Sequence, residues 1–207
     1  MPIFEQPHTI EALDMEFVWI EAIQSWVSRY EVSNAQYTKF KPGHNVKRVN
    51  NRHSLLMPEQ PVVNVSYGDA LAFIEWMSED ESENGRIPSG WEFKLPTGDQ
   101  WEAFATCGKS RRHYPWGKEW PPPHGNVGDS MSAMKNGFSD YTDKEPVSCD
   151  VREAGSNEWG LVGISGNVAE WVDEWYGQSK RKRVFRGGSW RTMSKNSLKT
   201  QDRKSVV

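Results

Sequence analysis

The chain has 207 residues and a net charge of −3, a length that suits one domain or two small ones. Aromatic residues make up 12% of it, and 11 Trp outnumber 8 Phe and 6 Tyr, so rings that each remove ~150–250 Å² from water replace part of an aliphatic core. No apolar run approaches the ~20 residues of a membrane-spanning helix, the 26% charged residues are too well mixed for a disordered chain, and two Cys make neither a disulfide framework nor a zinc site.

Met15 to Ile20 alternates in hydrophobicity and reads as a strand, and Trp26 to Val32 reads as a second. Ser33-Asn34-Ala35-Gln36 is a capping box, with Val32 and Tyr37 placed as a hydrophobic staple. Lys41-Pro42-Gly43 ends that short helix. Ser66 caps a second helix, with Asp69 near its positive end. Its Ala70, Phe73, Ile74 and Met77 recur at helical spacing. Thr97 to Gln100 opens a third, whose apolar face is Trp101, Phe104 and Ala105. Beyond Cys107 turn formers dominate, in Tyr114-Pro115-Trp116-Gly117, Pro121 to Pro123, Asn126 and Gly155 to Gly166. The second half is therefore expected to be irregular but ordered. Val184-Phe185-Arg186 reads as a strand running into Gly187-Gly188-Ser189-Trp190. From Lys180 to Val207 ten Lys or Arg meet a single acid, Asp202. Such asymmetry points either to an anionic partner or to a solvated loop at Lys180 to Arg183.

Several stretches form a recognisable series: Glu31-Val32-Ser33-Asn34-Ala35-Gln36-Tyr37, Pro61-Val62 with Val65-Ser66-Tyr67-Gly68-Asp69-Ala70, and Leu95-Pro96-Thr97 through Gln100-Trp101-Glu102. Tyr114-Pro115-Trp116-Gly117, Pro146-Val147, Trp159-Gly160-Leu161, Gly166-Asn167-Val168-Ala169-Glu170-Trp171 and Arg186-Gly187-Gly188-Ser189-Trp190 complete it. In this order, from Met15 to Trp190, they resemble the sulfatase-modifying factor, or formylglycine-generating enzyme, family. The resemblance implies an α+β, C-type-lectin-like fold: small twisted, mostly antiparallel sheets, two or three short helices and long ordered loops. Residues 1–14 are then an N-terminal extension and 15–207 a single domain.

The resemblance also implies an oxidase that holds Cu(I) between two cysteines, and soft thiolates suit that ion. Thr192 and Ser197 stand at those two positions, so no copper and no formylglycine synthesis are expected. Cys107 and Cys149 lie in other motifs and read as buried or idle thiols. The iron-dependent C–S bond-forming relatives add a His-rich helical domain, whereas His8, His44, His53, His113 and His124 have no ligand spacing and read as scattered surface residues. Two structural calcium sites are implied by the family. The first falls on Asn126, Val127 by carbonyl, Asp140 and Thr142 by carbonyl. The second falls on Gly166 and Val168 by carbonyl and Glu170, with Gly163 where the family has a side-chain donor. The strand that closes the family's small sheet is expected to be missing, shortened or supplied by another chain, which leaves room for a homo-oligomer or a virion assembly.

Two functional readings remain open. In the first, the domain is a non-catalytic binding or structural module for a macromolecule or glycan. It resembles the variable proteins of diversity-generating retroelements, in which the segment after the Gly-Gly-Ser-Trp motif is the binding face. Trp190, Arg191, Ser194, Lys195, Asn196 and Lys199 are its candidate contacts, polar and adaptable side chains on a fixed frame. In the second, the chain is a sulfatase-modifying oxidase or a diverged enzyme of the family. The first residues lack a secretory pattern, so cytoplasmic synthesis is expected, with a phage or virus structural component as one setting. Nucleic acid is a weak third candidate as partner. Trp26, Trp91, Trp120 and Trp175 are the rings expected to be exposed, the others being scaffold.

Overall fold

Met15–Ile20 forms β2, and its alternation decides how the first half is built. In the computed structural model, which describes residues 2–3, 5–133 and 137–206, β2 is the middle strand of an antiparallel sheet between β1 (His8–Ile10) and β3 (Ser25–Ser28). Phe17 stands opposite both His8 and Ser28. Met15 and Phe17 turn one face into a core with Ile10, Leu13, Tyr37, Phe73 and Met77. Val18 and Val27 turn the other face toward a second core of Trp101, Phe104, Leu161, Val172 and Val184. One small sheet is thus covered on both sides.

The second strand is shorter than its hydrophobicity suggests. It ends at Ser28 rather than at Val32, because Val32 is committed elsewhere: its carbonyl accepts the Val62 N–H at 2.8 Å. The three helices α1 (Asn34–Phe40), α2 (Tyr67–Glu83) and α3 (Gly98–Thr106) each begin at a complete capping box, on Ser33, Ser66 and Thr97. Asp69 does more than favour the helix dipole, since its carboxylate also accepts the Ser66 N–H at 3.0 Å.

The second sheet comprises β4 (Glu170–Trp175), β5 (Arg183–Arg186) and β6 (Lys204–Val206), in that order and antiparallel. β4 was not foreseen. β6 is three residues long and pairs with β5.

Between α3 and β4, the described residues of 107–169 hold no named strand or helix and are fixed by scattered backbone bonds and by side chains. Asn167 is fully buried and is the hub. Its Oδ1 accepts the Cys149 N–H at 2.9 Å and Asn126 Nδ2 at 3.3 Å. Its Nδ2 donates to Glu31 Oε2 at 2.6 Å. Its backbone N–H donates to the Asn126 carbonyl, and its carbonyl accepts the Trp190 N–H. Truncation to Ala orphans several buried groups at once, each at a cost of about 1–3 kcal/mol. Asn167→Ala is expected to lower the unfolding free energy by at least about 3 kcal/mol in a urea titration; a loss well under 1 kcal/mol would show that water replaces the hub.

Candidate binding face

The candidate segment begins where β5 ends. The Arg186 guanidinium is buried and donates to the carbonyls of Thr200 at 3.2 Å and Gly98 at 3.3 Å, with Glu102 3.6 Å away. Gly187 has φ +81°, and a Cβ there would meet the Trp101 ring at 3.1 Å. A Cβ on Gly188 would strike Leu198 at 2.4 Å. The two glycines therefore let the chain turn tightly over Trp101 and Leu198.

Ser189 and Thr192 then close a turn. The Thr192 N–H donates to the Ser189 carbonyl at 2.8 Å, and Thr192 Oγ1 accepts the Ser189 N–H at 3.0 Å. Gly128 N–H donates to the Thr192 carbonyl, and Met193 lies over Gly128. Trp190, Leu198 and Thr200 are buried. Between and beside these anchors Arg191, Met193, Ser194, Lys195, Asn196 and Lys199 are exposed. The turn Lys195–Leu198 is a single 3-10 turn. Lys204 Nζ clamps it from β6, donating to the carbonyls of Ser197 at 2.8 Å and Gly187 at 2.9 Å. Trp190 thus belongs beneath the face, whereas Arg191, Ser194, Lys195, Asn196 and Lys199 lie on it.

The face continues onto an aromatic cluster. Lys195 Nζ sits 4.3 Å from the centre of the Trp120 ring and 3.3 Å from Asp140 Oδ2. Trp120 Nε1 donates to that same oxygen at 2.8 Å. Behind it Phe138, Tyr141, Trp116 and Tyr114 pack as a group, with Tyr114 and Trp116 stacked.

Several expectations need correction. Trp120 is half-buried in this cluster, and Trp26 and Trp91 are half-buried 4.8 Å apart, with Trp19 beside Trp26 at 4.7 Å. Of the four rings expected outside, only Trp175 is exposed. His113 is exposed, but His8, His44, His53 and His124 are half-buried. Half of the basic run is paired: Arg183 with Asp173, Arg186 with Glu102, Lys195 with Asp140, Arg203 with Glu174 and Lys204 with Asp202. Lys180, Arg181 and Lys182 remain as an exposed turn.

The copper positions do not fit Cu(I). The Thr192 hydroxyl is part of the Ser189 turn, Ser197 lies in the 3-10 turn, and a hydroxyl is no substitute for a thiolate. Cys107 and Cys149 are both buried and unpaired, and burial pushes the Cys149 thiol up to about 12.

The calcium positions divide. Asn126 and Val127 are buried under the face, and Asn126 Oδ1 has no hydrogen-bond partner. Asp140 is exposed and bound to Trp120 and Lys195, and Thr142 lies two residues on. At the second set, Glu31 fills the space beside Gly163, where a Cβ would lie 2.8 Å from its carboxyl carbon. The Glu31 oxygens accept Val168 N–H and Asn167 Nδ2, and Glu170 accepts Trp101 Nε1 at 2.6 Å. The Gly166 N–H donates to the Gly163 carbonyl at 3.0 Å. Among the described residues no three His, Cys, Asp or Glu side chains converge on one point. Glu31 is buried and Glu170 half-buried, and their surroundings shift the acidity of both. Burial first, then Glu170, lifts Glu31 well above the carboxylate range, against two donors that pull it down. Burial lifts Glu170 to about 7 against the Trp101 N–H.

With this geometry in view, the comparison with known proteins is direct. The sulfatase-modifying factor enzyme 1-like domain matches residues 18–206. The chain belongs to that family. It is similar to the formylglycine-generating enzyme of Thermomonospora curvata, 31% identical over 58% of this chain and 35% of the relative. It is also similar to an inactive C-alpha-formylglycine-generating enzyme 2 of Bos taurus, 31% identical over 64% of this chain and 39% of the relative. The chain thus spans well under half the length of these relatives. Treponema denticola variable protein 1 superposes over 100% of this chain and 94% of its own, with a TM-score of 0.67 at 18% identity. PvdO from Pseudomonas aeruginosa does so over the same shares with a TM-score of 0.69 at 16% identity. The fold is C-type-lectin-like, as the motif order implied.

The buried acids set a pH dependence. A carboxyl whose folded pKa is raised binds its proton more tightly in the folded state, so its contribution is present below the unfolded value and is lost as pH climbs through about 7 for Glu170. The melting temperature of this family member is expected to fall as pH rises from 5 to 8 (roughly the span around that titration). Glu170→Gln should flatten the fall, since Gln keeps an acceptor for Trp101 and carries no charge. A profile that is unchanged in the variant would place the dependence elsewhere.

Proposed function

We propose that this domain is a non-catalytic binding module that recognises a macromolecule or glycan through Arg191, Ser194, Lys195, Asn196 and Lys199. One observation carries the reading: the segment is pinned by buried Trp190, Leu198 and Thr200, exposes the residues between them, and spends the Thr192 hydroxyl in a turn. A rigid frame leaves only side chains, and no backbone, to be ordered on binding. The similarity to relatives named as inactive supports a non-catalytic role, and the likeness to a variable protein supports the fold as a display frame. A phage or virus structural or receptor-binding component, a diversity-generating variable protein, or a homo-oligomer built on the same frame are settings in which such a face serves. The alternative, a formylglycine-generating oxidase, asks for thiolates at Thr192 and Ser197.

Screening against glycan and protein arrays tests the reading. The triple variant Arg191→Ala, Lys195→Ala, Asn196→Ala is expected to lose at least about tenfold in affinity for any hit while keeping the wild-type melting temperature. Conversion of a cysteine-containing sulfatase peptide by the copper-loaded protein would overturn it.

A specific observation favours calcium as a structural partner of this face. Asn126 Oδ1 is buried without a partner, and calcium takes hard oxygens from amides, carboxylates and carbonyls. With Val127 and Thr142 by carbonyl and Asp140 by carboxylate, Asn126 would hold such an ion and brace the loop under Lys195. Calcium is expected to raise the melting temperature and a chelator to reverse it, with neither effect in Asn126→Ala. Identical melting curves with calcium and chelator would remove the ion from the account.

A further inference from the structure

The exposed segment after Trp190 is flanked by a second loop that runs the opposite way. Gly128 N–H donates to the Thr192 carbonyl at 3.1 Å, and Ser132 Oγ donates to the Trp190 carbonyl at 3.2 Å. These two bonds bracket Met131 and set it beside Arg191. Asp129 is fully buried and folds the loop, its carboxylate accepting the N–H groups of Met131 at 2.8 Å and Ser132 at 2.7 Å. Met131 is left 59% exposed, and Met193, which lies over Gly128, is 39% exposed. Neither thioether belongs to the clusters beneath the face, around Trp190 and around Leu198.

The cations beside these methionines are not neutralised. Arg191 and Lys199 are exposed, and among the described residues neither pairs with a carboxylate. Three acids close to the face in the chain are already engaged: Asp129 by backbone N–H groups, Asp140 by Lys195 and Trp120, and Asp202 by Lys204. Nor does the face offer an open ring. Trp190 is buried, and Trp116, Phe138 and Tyr141 are half-buried. Trp120 is half-buried too, with Lys195 Nζ over its ring. A neutral sugar is held by laying its C–H face on an exposed aromatic ring, and that platform is missing from the described residues of the face.

Resting on the reading of this segment as a binding face, we propose that its partner is a protein, met through an acidic segment that carries an apolar side chain. The apolar side chain packs on Met131 and Met193, whose unbranched, polarizable chains mould to irregular shapes. The carboxylates meet Lys199 and Arg191, whose guanidinium can take one of them as a fork. Met and Arg are the residue types enriched where protein surfaces join. Other partners fit less well. A neutral glycan leaves both cations unanswered. A sulfated glycan or a nucleic acid answers the cations and leaves the thioethers in water. A basic segment is repelled.

Three sets of short peptides on one array test this: acidic residues interspersed with Leu and Phe, the same acidic residues interspersed with Ser, and Lys interspersed with Leu and Phe. A parallel array carries neutral and sulfated glycans. Hits are expected from the first set. The double variant Met131→Ser, Met193→Ser should weaken a hit at least about tenfold, mainly through faster dissociation. The double variant Arg191→Ala, Lys199→Ala should slow association and reduce its dependence on salt. All four side chains are exposed, so both variants should keep the wild-type melting temperature. Equal binding of the acidic peptides with Ser, or indifference of the hit to the methionine variant, overturns the proposal. Glycan hits that depend on Arg191, Lys195 and Asn196, with no peptide hit, overturn it and leave the binding face standing. No hit on either array, or hits that no substitution in the face weakens, remove both.

Discussion

The structure depends on how one amide side chain is used. The described residues of 107–169 have no ladder of strands to fix them, so their backbone groups must find partners one at a time. Asn167 meets that demand at the point where four segments converge. It takes the Cys149 N–H, bridges Asn126, holds the Glu31 carboxylate at the entry to α1 and receives the Trp190 N–H. An amide suits this place because it donates and accepts at once. A carboxylate would bring no N–H to Glu31, and an apolar residue would leave Glu31 and the Cys149 N–H without their side-chain partner.

From that hub two regions diverge. Trp190, tied to Asn167 through the backbone, starts the exposed segment, and Arg186 and Lys204 close it from behind. The basic C-terminal run therefore serves mainly as internal fastening: five of its cations have carboxylate partners. On the other side of the hub, Glu31 and Glu170 are drawn into the wall between the two cores. The same packing that makes the display face rigid thus encloses an apolar interior space.

Much of this was legible in the residues. Capping boxes at Ser33 and Thr97 set helix starts because the side-chain-to-backbone bonds are local and span three residues. β2 followed from alternation, and β5 from the short apolar run that leads into Gly187-Gly188. The order of eight motifs carried the fold, and Thr192 and Ser197 spoke against copper on chemistry alone. β4 escaped notice because Glu170–Trp175 mixes three acids with its apolar residues, and the strand is held by pairing with β5 rather than by its own pattern. β3 was read too long because Val32 bonds to Val62, thirty residues away.

What the sequence by itself determined is local: where helices begin, where the chain must turn, which chemistry lacks its ligands, and how much charge the last segment carries. What only the tertiary structure decided is the fate of side chains whose partners are distant. Trp26, Trp91 and Trp120 go inward, half the basic run is neutralised, Glu31 meets the space left by Gly163, and Tyr37 lines a cavity. The physical reason is range. Capping, turns and alternation act over a few residues, whereas burial and ion pairing depend on which remote segments arrive.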